Sequence, residues 1–420
     1  MYREPRLSQG NGSRKVAVLD TIHGACVIAQ EMRERGVDAA PLEVYHSSPS
    51  IEEFDLVVAP VHLSPENLVL KEARRLGKEM ITHHRAVGEL LADDCDFRIF
   101  EVTGTHSKTS TALLLSKMLS YEEVVVSHST RGIELWDNGR PEVLMSGLSI
   151  TPANVIHAFK TAHRASADSL ISEVSLGGTG LADFGILTSF ANDYKIAGGS
   201  SWASQAKLQM VSLAKQDMSL IANLDTMVKS SISIGLGGDV DTKPGHICVR
   251  GDRIPFAPAD GLDLESYSTA ISAAAAAALC AGLDREMISE ALDGFDGLSG
   301  RMKKTVIDGL TLIDNSNSGL TLAGVKRAIG YAKGHIRPGL VVGEDRETVC
   351  EGMDIQKLVE LLVRSRDDFG ALVLVGERLE PYASDLRALP AANYSAGVDL
   401  AKKILGSSED CLIACVKCFR

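Results

Sequence analysis

The feature that most constrains the fold of this chain is a short turn between a strand pattern and a helix pattern. Phe97 to Thr103 predicts a strand, and Thr111 to Leu119 predicts a helix. The turn between them consists of Gly104, Thr105, His106, Ser107, Lys108, Thr109 and Ser110. In such a turn, backbone N–H groups at the helix N-terminus bind phosphate, the lysine reaches the terminal phosphates, and the next hydroxyl can hold Mg²⁺. The turn therefore predicts a protein that uses ATP.

The turn departs from the general phosphate-binding loop at two positions. That loop has glycine immediately before the lysine and again six residues before it, whereas this chain has Ser107 and Val102 there. A polar N-cap on an ordinary helix is the alternative interpretation of Gly104 to Ser107. The lysine at the turn and the strand before it favour phosphate binding.

Composition restricts the class of protein. A chain of 420 residues suggests two or three domains, and 45% hydrophobic with 23% charged residues is ordinary for a globular enzyme. The net charge of −12 argues against a nucleic acid as the main ligand, so an anionic substrate would need a locally basic cleft. No apolar stretch reaches the roughly 18 residues that span a bilayer, and the first ten residues lack the apolar core of a signal peptide. These features predict a cytoplasmic protein without a membrane partner.

Alternating strand and helix patterns divide the chain into three α/β units, which we place at residues 1–97, 98–298 and 299–420. In the first unit, the predicted strand ends carry Asp20 to Gly24, Val61 to Leu63 and His83 to Arg85. Carboxyl ends of parallel strands meet at one edge of a sheet. The histidines there form either a shared pocket or ordinary loop positions. No G-x-G-x-x-G follows the first strand, so a dinucleotide is not indicated.

The second unit contains further strand and helix patterns. Glycine-rich Val228 to Ile254 predicts short antiparallel strands, while Ser201 to Lys215 and Tyr267 to Leu279 predict helices. Gly297 to Gly300 is the predicted linker to the third unit. In that unit Cys415 and Cys418 have metal or redox spacing, but with no second pair the sequence favours reduced structural thiols.

Four signals occur in an order that resembles the Mur ligase family, which includes folylpolyglutamate synthetases. They are the Gly-Thr-x-x-Lys-Thr turn, a glutamate at a strand end, a segment ending in Ala-Lys, and a Gly-Arg linker followed by an aspartate. The corresponding residues are Gly104 to Thr109, Glu173, Thr188 to Lys207, Gly300 to Met302 and Ile313 to Ser316. The resemblance spans roughly residues 98–420. It implies a central P-loop ATPase-type parallel sheet flanked by two Rossmann-like α/β domains.

The resemblance also implies an activity and roles for residues. A substrate carboxylate attacks the γ-phosphate of ATP, and a nucleophile then displaces phosphate from the acyl phosphate. The implied catalytic residues are Lys108, Lys207 and Arg301; Thr109 and Glu173 would hold Mg²⁺; ATP contacts would include the turn, Asn223, Arg301 and Asp314. Lys207 matches a lysine that is carbamylated in many members. Taken singly, Glu173 is also consistent with a surface carboxylate, and Lys207 with a helix lysine that extends to solvent.

The chain also departs from the family pattern. Tyr194 stands where the family has a metal-binding histidine, and no signature for an amino-acid nucleophile follows Asp314. With the Asp20 to Gly24 opening and the Val416 to Arg420 ending, these departures resemble the coenzyme F(430) synthetase branch found in methanogens. That branch implies that a propionate side chain of a nickel tetrapyrrole closes on a ring carbon. Nickel then enters only as part of the substrate.

A substrate with several carboxylates needs cationic partners. The candidates are His23, His83, His84, Arg85 and Arg131, although a solvated turn also explains Arg131. Two other functions stay open: a Mur-type ligase that joins an amino acid to a carboxylate, and a nucleotide-binding relative without catalysis. The sequence leaves the oligomeric state undetermined.

Overall fold

The computed structural model describes residues 14–332, 335, 338–345, 353–406 and 411–418, which form three main sheets. By their contacts, residues group into two compact units. One unit holds the chain up to Phe256 together with Ser268–Ala291, and the other holds Ala257–Tyr267 and the chain from Leu292. The α/β fold class is confirmed, while the three domain boundaries stay a prediction.

The N-terminal sheet is parallel, with strand order β2-β1-β3-β4. Its elements are β1 (Lys15–Leu19), α1 (Ala25–Glu34), β2 (Asp38–Leu42), β3 (Leu56–Ala59), α2 (Leu68–Arg75), β4 (Glu79–Thr82) and α3 (His83–Leu91). The residues of β3 are all buried, as expected for a strand covered on both faces. Strand β2 was not predicted because its proline and aspartate are atypical of strands. Its position at the sheet edge tolerates both.

The central sheet is larger and mixed. Its elements are β5 (Arg98–Thr103), α4 (Lys108–Leu119), β6 (Val125–Ser129), β7 (Gly132–Asp137), β8 (Arg140–Met145), α5 (Pro152–Ala165), β9 (Ser169–Glu173), β10 (Phe184–Leu187), β11 (Lys195–Ile196), β12 (Ser201–Trp202), α6 (Ala203–Lys207), α7 (Gln209–Ser212), β13 (Ser219–Asn223), β14 (Ile232–Ile234), β15 (Val240–Lys243), β16 (His246–Val249), β17 (Asp252–Pro255), α8 (Leu264–Cys280) and α9 (Arg285–Leu292). The strand order is β17-β16-β15-β14-β13-β10-β5-β9-β6-β7-β8.

Antiparallel hairpins extend the parallel centre of this sheet at both ends. The six neighbouring strands at the centre of the sheet are parallel; they are β14, β13, β10, β5, β9 and β6. Strands β7 and β8 form an antiparallel hairpin on one side of them. The hairpin turn is Asn138-Gly139, with φ values of 47° and 73°. Both residues tolerate the left-handed conformation that a tight hairpin turn requires. On the other side, β15, β16 and β17 are antiparallel as predicted, but β14 is parallel to β13.

Two helix predictions in this region have different outcomes. The alanine-rich helix forms as α8, and all six residues from Ala273 to Ala278 are fully buried. The single helix predicted over Ser201 to Lys215 was wrong. Ser201 and Trp202 instead pair with Lys195–Ile196 in the small β11–β12 ribbon, and only the short helices α6 and α7 follow.

Helix α5 joins the N-terminal and central sheets. It packs against α1 and α3 on one side and against β6 and β9 on the other. Its buried side chains, including Phe159 and Ile156, belong to one apolar cluster with residues of α1, α3 and β1. The two sheets therefore share a continuous core within the first compact unit.

The C-terminal sheet has the order β18-β19-β23-β20-β21-β22 and is parallel except for the β18–β19 hairpin. Its elements are β18 (Lys303–Ile307), β19 (Leu310–Asp314), α10 (Leu322–Ala332), β20 (Gly339–Glu344), α11 (Ile355–Ser365), β21 (Ala371–Val375), β22 (Leu389–Ala391), α12 (Tyr394–Leu405) and β23 (Cys411–Lys417). Cys415 and Cys418 are both buried but belong to different apolar clusters. Residues three apart in extended chain point to opposite faces, which favours structural thiols. None of the helices in the described residues has the length and apolarity that crossing a membrane requires.

Candidate active site

The predicted phosphate-binding turn connects β5 to α4 and is tied to the end of β10. Gly104 has φ 152°, and a Cβ atom there would lie 2.0 Å from the Thr188 hydroxyl oxygen. The Thr188 hydroxyl donates a hydrogen bond of 2.5 Å to the carbonyl oxygen of His106. The Thr105 backbone N–H donates to the Ser189 carbonyl oxygen at 2.9 Å. Only glycine allows β10 to approach this closely.

Ser107, which replaces the glycine usual before the lysine, adopts a left-handed conformation with φ 63°. A side chain with a Cβ atom is strained there, at a cost of about 1–2 kcal/mol. The Ser107 hydroxyl lies 2.9 Å from Nδ1 of His106. The turn thus keeps the backbone conformation that glycine usually adopts at this position, although the residue here is serine.

We expect Ser107→Gly to stabilise the protein by about 0.5–1 kcal/mol, since glycine removes the steric strain but adds chain entropy in the unfolded state. Urea unfolding monitored by circular dichroism measures the difference. Ser107→Ala is the matched control, because it removes the hydroxyl and keeps the strain. Equal gains in the two variants would show that the hydroxyl, rather than the backbone, sets the cost.

Lys108, Thr109 and Glu173 lie together at the carboxyl ends of β5 and β9. The ammonium nitrogen of Lys108 is 3.9 Å from Oε1 of Glu173, and the Thr109 hydroxyl donates to Oε2 of Glu173 at 2.8 Å. Glu173 is almost fully buried, so these partners replace water around its carboxylate. The backbone N–H of Thr130 also points to this carboxylate, at 3.4 Å. A hydroxyl and a carboxylate are oxygen ligands of the kind Mg²⁺ prefers, so the residues present suit that ion.

Lys207 lies in the same region, at the end of α6, with only 1% of its surface exposed. Burial lowers the pKa of its amine well below the usual value; Lys108 adds to this effect, while Asp193 and Glu173 oppose it. The backbone N–H of Ser204 donates to the Asp193 carboxylate at 3.0 Å, which fixes the start of α6. Tyr194 places its ring centre 5.8 Å from Nζ of Lys207. The amine of Lys207 is therefore held in a form that can be neutral and nucleophilic.

Three further residues predicted to contact ATP lie at strand ends or in a loop. Asn223 ends β13, and its side-chain oxygen accepts a hydrogen bond of 3.2 Å from the backbone of Asp225. Arg301 and Asp314 belong to the second compact unit. Asp314 ends β19, where its carboxylate accepts from the backbone of Ser316 at 3.0 Å. These three assignments stay predictions.

Two of the predicted substrate cations, His83 and His84, are buried and bonded to carbonyl oxygens. Nε2 of His83 lies 2.9 Å from the oxygen of Leu19, and Nε2 of His84 lies 2.8 Å from that of Ser175. Burial lowers the pKa of His83 to about 3 and that of His84 to about 4. Neutral imidazoles hidden from solvent favour a structural role over the predicted one.

The remaining predicted cations are partly exposed. Arg85 pairs with Glu89 within α3, and Arg131 pairs with the buried Glu134 across the β6–β7 turn, at 2.7 Å in both cases. Arg131 directly follows Thr130, so it lies next to the Glu173 centre. His23 lies apart from that centre, beside Asp20 and His62.

Some residues of this site escaped sequence reasoning. Thr130 follows β6, but threonine is common at the ends of strands and carries no distinctive spacing. Asp225 accepts hydrogen bonds from the Ser189 hydroxyl and from the Phe190 backbone, which braces the loop after β10. Asp225 is a neighbour of Ser189 and Phe190 only because the strand order puts β10 and β13 side by side.

Comparisons with known proteins agree with this architecture. A family model described as "Coenzyme F430 synthetase CfbE, C-terminal domain" matches residues 303–418. The coenzyme F(430) synthetase of Methanosarcina acetivorans is 34% identical to the chain, over 97% of the chain and 99% of that protein.

Two solved structures share the fold. MurF from Acinetobacter baumannii has a TM-score of 0.59 at 15% identity, covering 94% of this chain and 96% of its own. A bifunctional folylpolyglutamate synthase/dihydrofolate synthase from Yersinia pestis, complexed with AMPPNP and a manganese ion, has a TM-score of 0.59 at 17% identity. It covers 80% of this chain and 90% of its own. At these identities the likeness concerns the fold alone.

Proposed function

The chain belongs to the coenzyme F(430) synthetase family of Mur-type ligases, and from this we propose that it uses ATP to close a carbocyclic ring on a nickel tetrapyrrole. A propionate carboxylate would attack the γ-phosphate of ATP, giving an acyl phosphate and ADP. A ring carbon would then lose a proton and attack the acyl carbon. The new carbon–carbon bond replaces the bond to phosphate, which leaves, and the product is a ketone.

The observation that carries this proposal is the cluster of Lys108, Thr109, Glu173 and buried Lys207 in a chain that matches its relative end to end. Attack of a carboxylate on a triphosphate brings two anions together, so neutralising charge is the main catalytic task. Lys108, at the N-terminus of α4, would hold the terminal phosphates together with the backbone N–H groups of the turn.

The residues present also suit a magnesium ion. Thr109 and Glu173 would hold it through their oxygen atoms, and when bound it supplies positive charge that offsets the charge on the phosphates. Lys108, 3.9 Å from Oε1 of Glu173, lies beside this carboxylate. Asp193 accepts from the backbone N–H of Ser204 at the start of α6, the helix that carries Lys207. In its carbamylated form Lys207 would add a second anionic oxygen ligand.

Arg301 and Asp314 would contact phosphate and ribose respectively. Exclusion of water around the reacting groups would protect the acyl phosphate from hydrolysis. Arg131, next to Thr130, and Arg85 are the partly exposed cations that would receive carboxylates of the substrate.

The decisive experiment supplies the purified protein with ATP, Mg²⁺ and the nickel tetrapyrrole acid, with no amine present. We expect ADP and phosphate in equal amounts and a product lighter than the acid by one water, detected by mass spectrometry. Reactions without the tetrapyrrole, and with a panel of amino acids in its place, are the controls. If phosphate is released only when an amino acid is present, the reaction is amide formation and not ring closure. ATP binding without turnover would indicate a non-catalytic relative.

A further inference from the structure

Four polar side chains converge at the carboxyl edge of the N-terminal sheet, apart from the phosphate-binding turn. Asp20 directly follows β1, and His23 lies between β1 and α1. Tyr45 follows β2 and His62 follows β3. Because β2, β1 and β3 are neighbours in the sheet, the three connecting loops meet at one place.

The four donor atoms form a nearly regular tetrahedron. Oδ2 of Asp20 lies 2.8 Å from Nδ1 of His23, 3.1 Å from Nε2 of His62 and 2.9 Å from the Tyr45 hydroxyl oxygen. The two ring nitrogens are 3.3 Å apart, and the hydroxyl oxygen lies 3.5 Å and 3.4 Å from them. The mean edge is about 3.2 Å, so each atom lies about 1.9 Å from the centre, close to the 2.0–2.1 Å of bonds from zinc to nitrogen or oxygen.

Hydrogen bonding alone explains this arrangement poorly. It would require one oxygen of Asp20 to accept from His23, His62 and Tyr45 at once, although each carboxylate oxygen offers about two lone-pair sites. Among themselves, the two ring nitrogens and the hydroxyl oxygen lie 3.3–3.5 Å apart, which is long for hydrogen bonds. A cation at the centre satisfies all four atoms together.

The Asp20 carboxylate is held in place from behind. Its second oxygen, Oδ1, accepts from the backbone N–H groups of Ile22 at 3.1 Å and His23 at 3.0 Å. The residue is fully buried and has φ 79°, a strained conformation for a side chain other than glycine. This leaves Oδ2 of the buried carboxylate beside the other three donor atoms. A buried carboxylate needs compensating partners.

We propose that Asp20, His23 and His62 bind one divalent first-row transition-metal ion of the zinc type, with the Tyr45 hydroxyl at the fourth corner. Two imidazoles and one carboxylate in this geometry suit zinc or cobalt(II) better than Mg²⁺, which prefers six oxygen ligands. The site shares no residue with the Thr109–Glu173 pair.

Cobalt(II) titration tests the proposal, because tetrahedral cobalt(II) absorbs visible light strongly. The full chain, freed of metal with a chelator, is titrated with CoCl₂ and then with ZnCl₂. We expect visible bands that saturate at one cobalt per chain and disappear as zinc displaces it. His62→Ala is expected to weaken cobalt binding at least 100-fold. His46→Ala removes an exposed histidine next to Tyr45 and is the matched control.

Asp20→Asn provides a second variant, which keeps the shape of the side chain and removes its charge. Circular dichroism establishes that each variant is folded before it is titrated. Absence of the bands in the folded wild type, or equal titrations of wild type and His62→Ala, would overturn the proposal. ATP turnover is not measured, so the outcome does not depend on the proposed ligase activity.

Discussion

Replacing Lys108 with alanine is expected to lower kcat for tetrapyrrole-dependent phosphate release by about 10³-fold. The ammonium group lies 3.9 Å from Oε1 of Glu173 and at the N-terminus of α4, where transferred phosphate charge would develop. Since that charge grows as the γ-phosphate is transferred, the loss should fall mainly on kcat rather than on KM. A coupled assay for ADP measures both constants.

The Lys108 variant has a second expected consequence. Lys108 is one of the causes that lower the pKa of Lys207, so its removal raises that pKa and reduces the neutral fraction of the Lys207 amine. The two lysines should therefore be non-additive in a double-mutant cycle. Lys117→Ala is the matched control, because Lys117 lies on α4 and donates to the Ala291 carbonyl oxygen. A Lys108→Ala enzyme with unchanged kcat would contradict the role that we assign to the turn.

The sequence located the phosphate-binding turn and its partners because each carries a local pattern. The turn is defined by spacing, and Glu173 ends a predicted strand whose five residues are all buried. Their proximity depends on β5 and β9 being neighbours, with Val102 opposite Glu173 in the register. Only the family resemblance implied that these residues share a site, since periodicity gives strands but no strand order.

Other parts of the structure were out of reach for particular reasons. The Asn138-Gly139 turn is a hairpin signal, but no strand was predicted at Gly132–Asp137 or Arg140–Met145 on either side of it. Tyr45 is an isolated tyrosine in a loop, so only the fold brings it to Asp20. The histidine-bearing strand ends were expected either to share a pocket or to be ordinary loops. The structure shows a different outcome for different histidines. His23 and His62 converge, whereas His84 bonds to the carbonyl oxygen of Ser175.

The burial of Lys207 could not be predicted from a short helix with a polar composition. The burial of Lys207 determines how its amine reacts. A buried amine with a lowered pKa is neutral more often, and neutral amines react with CO₂. The product is a carbamate, in which the new carbon–nitrogen bond forms as the amine loses a proton. The positive charge of Lys108 would stabilise this anion. The lowered pKa of Lys207 thus favours carbamylation, although the negative charges of Asp193 and Glu173 act to raise that pKa.

We therefore expect wild-type activity to fall when CO₂ and bicarbonate are removed and to return when bicarbonate is added. Lys207→Ala should lower kcat by about 10²–10³-fold, lose the bicarbonate response and recover partly with acetate, because a free carboxylate can occupy the space left by the carbamate. Lys195→Ala is the matched control, since Lys195 lies in the neighbouring ribbon with its ammonium 4.0 Å from the Trp202 ring. If the wild-type activity does not change with bicarbonate and the measured mass shows no added CO₂, Lys207 acts as an amine rather than as a carbamate. Full activity in Lys207→Ala would remove this lysine from the reaction altogether.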